Sequence, residues 1–222
     1  MNEIVDGYSL SQNELDLELG RGANTTEMKK QADLISNTWS FPGVLPPNPV
    51  LLLVGGFQGS GKTTVLELLQ SDPGMIVISS DEIRHNLFSQ EHPFSDDFVR
   101  LVNATKFELM IRATETGHII AVDQGLTPDR VTIAKKMLEP DSKYSVLSIF
   151  LSAPKDVLTE RVSERRQLAG RYRGKVEELE ASMERYEERY GRLKASDYDL
   201  TIDTNGNSPE EIAALIREKI SK

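Results

Sequence analysis

Residues 56–63 read Gly-Phe-Gln-Gly-Ser-Gly-Lys-Thr, a complete G-x-x-x-x-G-K-[ST] pattern. The apolar run Val50–Val54 precedes it and Thr64–Leu69, a first helix, follows. That strand–loop–helix frame is what phosphate binding needs. Glycines let the backbone curl around an anion, and successive N–H groups and the helix N-terminus then point at it. Gly56, Gly59, Ser60, Gly61, Lys62, Thr63 and Thr64 are therefore expected to bind ATP. Lys62 would act catalytically by reaching the β- and γ-phosphates, and the Thr63 hydroxyl would help hold Mg²⁺. The competing reading is a glycine-rich turn that only happens to carry Lys-Thr.

In a parallel sheet, ligands sit at the carboxyl ends of the strands, so the residue just past each apolar run matters. After Met75–Ser79 come Ser80, Asp81 and, one helical turn on, Arg84. Asp81 can accept a proton from an attacking hydroxyl, and Arg84 can hold polar or negative groups of the acceptor. The alternative is a helix-capping aspartate beside a solvated arginine. After His118–Val122 comes Asp123, where a carboxylate can orient a metal-bound water or bind acceptor hydroxyls; a plain loop aspartate is its rival. Arg161–Lys175 carries Arg161, Arg165, Arg166, Arg171, Arg173 and Lys175 against the single Glu164, a net +5 in a chain of −9. The contrast favours a phosphate clamp over a solvated face, with Gly170 and Gly174 as hinges.

The elements that must position these residues alternate. Strands are expected at Val50–Gly55, Met75–Ser79, His118–Val122, Tyr144–Leu151 and Asp199–Ile202. Helices are expected near 63–70, 81–88, 98–115, 128–138 and 154–168, with a last one opening at Ser208-Pro209. Alternating β and α with continuous apolar strands predicts an α/β fold: a P-loop NTPase with about five mostly parallel strands and helices on both faces. Val176, Leu179, Met183, Tyr186 and Tyr190 form a packing stripe. The domain is drawn as 49–222. Residues 1–48 are an N-terminal extension: an acidic arm, a helix capped by Asn24 with Met28, Ala32, Ile35 and Trp39 on one stripe, and a Pro-rich connector. Residues 1–20 carry five acidic and no basic side chains and are expected to be disordered or partner-dependent.

Composition excludes several classes. There is no cysteine, so disulfides, thiolate catalysis and zinc–thiolate sites are out. His85, His92 and His118 lack metal-ligand spacing and are expected on the surface or in loops. A net charge of −9 argues against gripping long nucleic acid. No apolar stretch reaches membrane-span length and the N-terminus has no signal-peptide pattern, so a cytoplasmic protein is expected. No N-K-x-D guanine-reading motif and no L-S-G-G-Q signature occur, which argues against a switch GTPase and a transporter ATPase.

With these residues placed, Val50–Ile220 resembles small P-loop kinases of the zeta toxin and polynucleotide 5′-kinase type, among the AAA-type kinases. The more specific likeness is Ser80-Asp81-Glu82-Ile83-Arg84, similar to the acceptor element of those kinases. There the aspartate is the general base and the arginine contacts the acceptor. Asp123 stands where these kinases carry a carboxylate after the third strand. Pro154, Arg161 and Arg165 match the spacing of lid arginines, which implies that both arginines bind ATP and that Arg165 is catalytic. Asp203-Thr204-Asn205 resembles the adenine-lining loop, implying a nucleotide contact at Asn205, and Gln90–Phe94 resembles zeta toxins. The resemblance implies an ATP- and Mg²⁺-dependent phosphotransferase with a hydroxyl-bearing acceptor: a nucleotide sugar, another small metabolite or a polynucleotide 5′-hydroxyl. The toxin-like case implies an antitoxin-like protein partner. A non-catalytic ATP-binding regulatory module is the rival from another class.

Overall fold

Val50–Gly56, Met75–Ile78, Ile119–Asp123, Ser145–Ser152 and Leu200–Asp203 form β1 to β5. β1 is buried from Val50 through Gly55, and a strand with no wet face must be paired and covered on both sides. In the computed structural model the sheet order is β2-β3-β1-β4-β5 and every ladder is parallel. The expected fold class is therefore the observed one. The structure describes residues 10–40, 45–87, 95–123, 127–138, 143–168, 176–191 and 194–221, without the side chains of 137–138, 165–168 and 190.

The helices are α1 (Gln12–Glu18), α2 (Thr25–Ser36), α3 (Lys62–Gln70), α4 (Ser80–Leu87), α5 (Asp96–Thr116), α6 (Pro128–Leu138), α7 (Lys155–Leu168), α8 (Val176–Tyr190) and α9 (Pro209–Ile220). Strand residues alternate between faces, and each face has its own core. Leu51, Leu53, Ile120 and Val122 meet Leu109 and Met110 of α5 and Ile83 of α4. Leu52, Val54, Ile149 and Leu151 meet Val65 and Leu69 of α3 and Ile212 and Ile216 of α9. Asp199 accepts from the Ser148 amide at 2.8 Å and hydroxyl at 2.6 Å, which ties the approach to β5 onto β4. Among the described residues, no helix is long and apolar enough to cross a membrane.

α2 lies on the α5 side of the sheet. Its Asn24 side chain accepts from the Glu27 amide, Ala32 and Ile35 are buried in the α5-side core, and Trp39 packs against it. Arg112 of α5 reaches back to Asp33 at 2.7 Å. Met28 is only half-buried.

Two expectations are corrected. Residues 10–20 are not a disordered arm: Ser11 and Glu14 form a reciprocal capping box that starts α1. Leu10 and Leu15 bury against Ile133 of α6, beside Phe107 of α5. Gly20, at φ +66°, closes the segment on α5 so tightly that a Cβ would stand 2.4 Å from the Ala104 amide nitrogen. Acidic charge does not prevent a helix where Ser11 and Glu14 satisfy its first amides and apolar side chains bury against α5 and α6. Secondly, His118 lies in the bend before β3, as a loop residue would, but it is not on the surface, being 4% exposed. The Tyr144 hydroxyl donates to its carbonyl at 2.8 Å. Gln90–Phe94 and His92 lie outside the described residues.

Candidate active site

β1 delivers Gly56–Thr63 to the centre of the sheet's carboxyl edge, between β3 and β4, where the connections diverge to either side. Gly56, Gly59 and Gly61 all have positive φ. Gly56 has no room for a side chain: a Cβ would meet the Leu151 carbonyl oxygen at 2.3 Å. Gly59 is wedged under α7, with the Leu158 carbonyl oxygen 2.9 Å from such a Cβ. At Gly61 a Cβ would meet nothing within 4 Å, so that side of the loop is open. The loop hugs the protein on two glycines and leaves the third facing open space.

Gly61 is also the N-cap of α3. Asn24, Ser95 and Ser208 cap α2, α5 and α9 with side-chain oxygens, whereas Gly61 has none to give. α3 therefore starts without a side-chain cap, the arrangement in which first-turn amides can receive an anion. Thr63 and Thr64 are exposed on that turn. Ser60 is fully buried and its Oγ has no hydrogen-bond partner among the described residues. The Lys62 ammonium donates to the carbonyls of Gly56 at 2.8 Å and Phe57 at 3.1 Å, which folds the cation over the loop.

The second cluster grows from β2 and β3. Val54 of β1 is in register with Asp123 of β3, and Ile78 of β2 with Val122. The Ser80 hydroxyl donates to the Asp123 carbonyl at 3.2 Å, which pins the start of α4 to the end of β3. The Ser79 hydroxyl accepts from the Asp81 and Glu82 amides at 3.2 and 3.4 Å. Ser79 thus caps α4, and the Asp81 carboxylate is not spent on that duty. It is 72% exposed and accepts from Arg84 at 3.1 Å. Asp123 is buried, and burial pushes its carboxyl above the usual range. Lys62, Lys106 and Arg84 act against that shift and Asp81 adds to it, so these groups lie within electrostatic reach of Asp123.

On the other side of the loop a cleft of about 290 Å³ is lined by Gly59, Gly61, Arg161, Thr204 and Asn207, among others. The Arg161 guanidinium donates to the Gly59 carbonyl at 3.3 Å and to the Thr204 hydroxyl and carbonyl, both at 2.9 Å. It braces the phosphate loop against the end of β5 and forms a wall of the cleft. Asn205 is exposed, with its amide bonded to Asp203 at 2.9 Å; Asn207, two residues on, lines the cleft. Arg165 sits on the last turns of α7, its side chain outside the description. Residues 169–175, with Arg171, Arg173 and Lys175, lie outside the described residues. The stripe on α8 is packing: Leu179 is fully buried with Leu158 and Val162, and Tyr186 meets Phe57 of the loop edge-on at 5.0 Å.

One group of residues had no counterpart in the sequence reading. Arg130 of α6 forks onto Glu18 of α1, with Nε at 2.6 Å and Nη2 at 2.5 Å from its two oxygens. Lys106 of α5 lies beside them, 4% exposed, donating to Asn103 at 3.3 Å. Burial, with Arg130 close by, pushes the Lys106 ammonium down to about 7. The pair Glu18–Arg130 spans 112 positions, and no local spacing announces it.

A sequence profile described as the AAA domain matches residues 51–189. A shikimate kinase of Lactococcus lactis subsp. cremoris is 31% identical over 173 residues, spanning 76% of this chain and 96% of the relative. Among solved structures, a sugar kinase from Janibacter superposes with a TM-score of 0.53 at 18% identity, covering 78% of this chain and 94% of that one. A chain of the PezAT toxin–antitoxin system of Streptococcus pneumoniae gives 0.52 at 15% identity, covering 89% and 88%. At these identities the two structures share the fold.

Proposed function

This chain belongs to the AAA-domain family of P-loop kinases, and we propose that it transfers the γ-phosphate of ATP, with Mg²⁺, to a hydroxyl of a small acceptor. The observation that carries this reading is the meeting, at one edge of the sheet, of an open anion cradle at Gly61 with Lys62, Asp81 and Asp123. A module that only bound nucleotide would have no use for an exposed, uncapping carboxylate beside the buried one.

In this reading the loop amides and Lys62 hold the β- and γ-phosphates, and the cleft walled by Arg161 and Asn207 takes the base and ribose. Asp81 accepts the acceptor's proton and Arg84 aims the acceptor. Arg165 neutralises charge on the transferring group. Among the described residues no three His, Cys, Asp or Glu side chains converge on a metal position. Thr63 and Asp123 offer a hydroxyl and a carboxylate, a donor set that fits an ion bound mainly through water and phosphate, as Mg²⁺ is. The metal would offset the phosphate charge, and would restore to Asp123 the stabilisation that burial removes. Catalysis is otherwise positioning and fixed electrostatics.

Two acceptor classes follow from the likenesses. The relatives' name suggests a small hydroxylated metabolite of the shikimate kind. The Ser80–Arg84 element, similar to that of zeta toxins and polynucleotide 5′-kinases, suggests a nucleotide-type acceptor: a nucleotide sugar, with an antitoxin-like partner, or a polynucleotide 5′-hydroxyl. A screen of γ-phosphate transfer from labelled ATP to shikimate, simple sugars, nucleotide sugars and 5′-hydroxyl oligonucleotides separates them. Transfer to a small molecule is expected, and Lys62→Ala should lower it by about 10²–10³-fold. Undiminished transfer by that variant would remove the phosphate loop from the active site.

A further inference from the structure

Resting on the kinase reading, we propose that Glu18 is a specificity-determining residue of the acceptor side: it is the resident anion of a cation pair, Arg130 and Lys106, that a charged acceptor would otherwise use. Three observations carry this. The pair lies at the carboxyl edge of the sheet, since Arg130 stands on the first turn of α6, the helix that follows β3 and its terminal Asp123, and Lys106 feels the charges of Asp123 and Arg84. Its anion comes from α1, which precedes the segment 51–189 matched by the family profile. The place is full: the space bounded by Glu18, Lys106, Phe107, Arg130 and Ile133 leaves no room for a water-sized molecule.

The docking of α1 is built rather than incidental. Asn103 of α5, which accepts from Lys106, donates to the Leu17 carbonyl at 2.9 Å. Arg100 donates to the Arg21 carbonyl at 3.0 Å, and Arg189 of α8 pairs with Glu14 at 2.9 Å. Gly20 permits the close approach to Ala104 that sets Glu18 in place. Beyond Glu18, Asp123 supplies a further negative charge that Lys106 feels. An acceptor carrying its own carboxylate toward this wall must displace Glu18, whereas an uncharged hydroxyl compound need not. Specificity then arises by pre-filling the competing anion's place.

Full-length wild type, Glu18→Gln and Gly20→Ala are compared by calorimetry, with shikimate and its methyl ester as matched charged and uncharged probes. Gly20→Ala keeps Glu18 chemically intact and lifts α1 by the clash with Ala104. Wild type should bind the two probes alike. Both variants should bind shikimate at least about tenfold more tightly than the ester, because a charge-assisted contact becomes available. A wild-type preference for shikimate that Glu18→Gln leaves unchanged or lowers would overturn the proposal, as would equal binding, or none, in both variants. Binding is read without turnover, so loss of the kinase reading would show separately, as absent ATP-dependent transfer in every protein.

Discussion

Asp81 and Lys106 show two fates of a charged side chain near one site. Asp81 stands in water at the mouth, relieved of capping by Ser79. Asp81→Asn should leave ATP affinity near wild type and depress transfer by about 10²–10⁴-fold, because proton acceptance is removed while the phosphate loop is untouched. Calorimetry with an ATP analogue beside single-turnover transfer checks both halves; weakened nucleotide binding with normal transfer would make Asp81 a metal-site residue. Lys106 is instead held in the interior with its ammonium lowered to about 7. Between about 7 and its unfolded value near 10.4 the unfolded chain binds the extra proton, so this group makes stability rise with pH across that window. Below about 7 both states are protonated and its cost is constant. Urea midpoints of wild type should therefore rise from pH 6.5 to 9 more steeply than those of Lys106→Met; parallel profiles would show that Lys106 is not depressed.

At the scale of elements, α1 and α2 make the extension part of the packed structure. α2 adds Ala32 and Ile35 to the α5-side core, and α1 covers Ile133 and Phe107 while pairing Arg130. Deleting residues 1–20 should destabilise the protein by about 3 kcal/mol or more, since Leu10 and Leu15 are both buried and each contributes roughly 1.5–3 kcal/mol, with the loss of the partly exposed Arg130–Glu18 pair adding to that. Deleting through residue 46 should cost more, since a buried isoleucine alone contributes roughly 1.5–3 kcal/mol. Urea unfolding of the three lengths tests the order, and equal stabilities would make 1–48 a free tail. The helix starts were legible wherever a Ser or Asn preceded a Glu by three residues, as at Asn24 and Ser208. Ser11 and Glu14 carry the same spacing, and the charge-based expectation for residues 1–20 did not use it.

At the scale of the whole molecule, β1, β3 and the end of β4 are buried on both faces and read as continuous apolar runs, whereas β5, Leu200–Asp203, is half exposed and its place followed from the alternation of strands and helices. The parallel sheet then places the residues after its strands on one edge, which is why Asp81 and Asp123 were singled out by position, while Gly56 came from the G-x-x-x-x-G-K-[ST] pattern. Local physics decides these features: glycines at positive φ, caps three residues apart and apolar periodicity are all written within a few residues. The tertiary structure alone decided that Arg161 braces the loop against Thr204, that Asn207 lines the cleft while Asn205 stands exposed, and that His118 is buried. It alone brought Glu18 to Arg130 and Lys106. Such pairings join residues far apart in the chain, and their energy comes from burial, which no run of neighbouring residues encodes. The amino-acid sequence determined the fold and the glycine-rich loop of the candidate site; packing between distant helices determined the cluster of Glu18, Arg130 and Lys106.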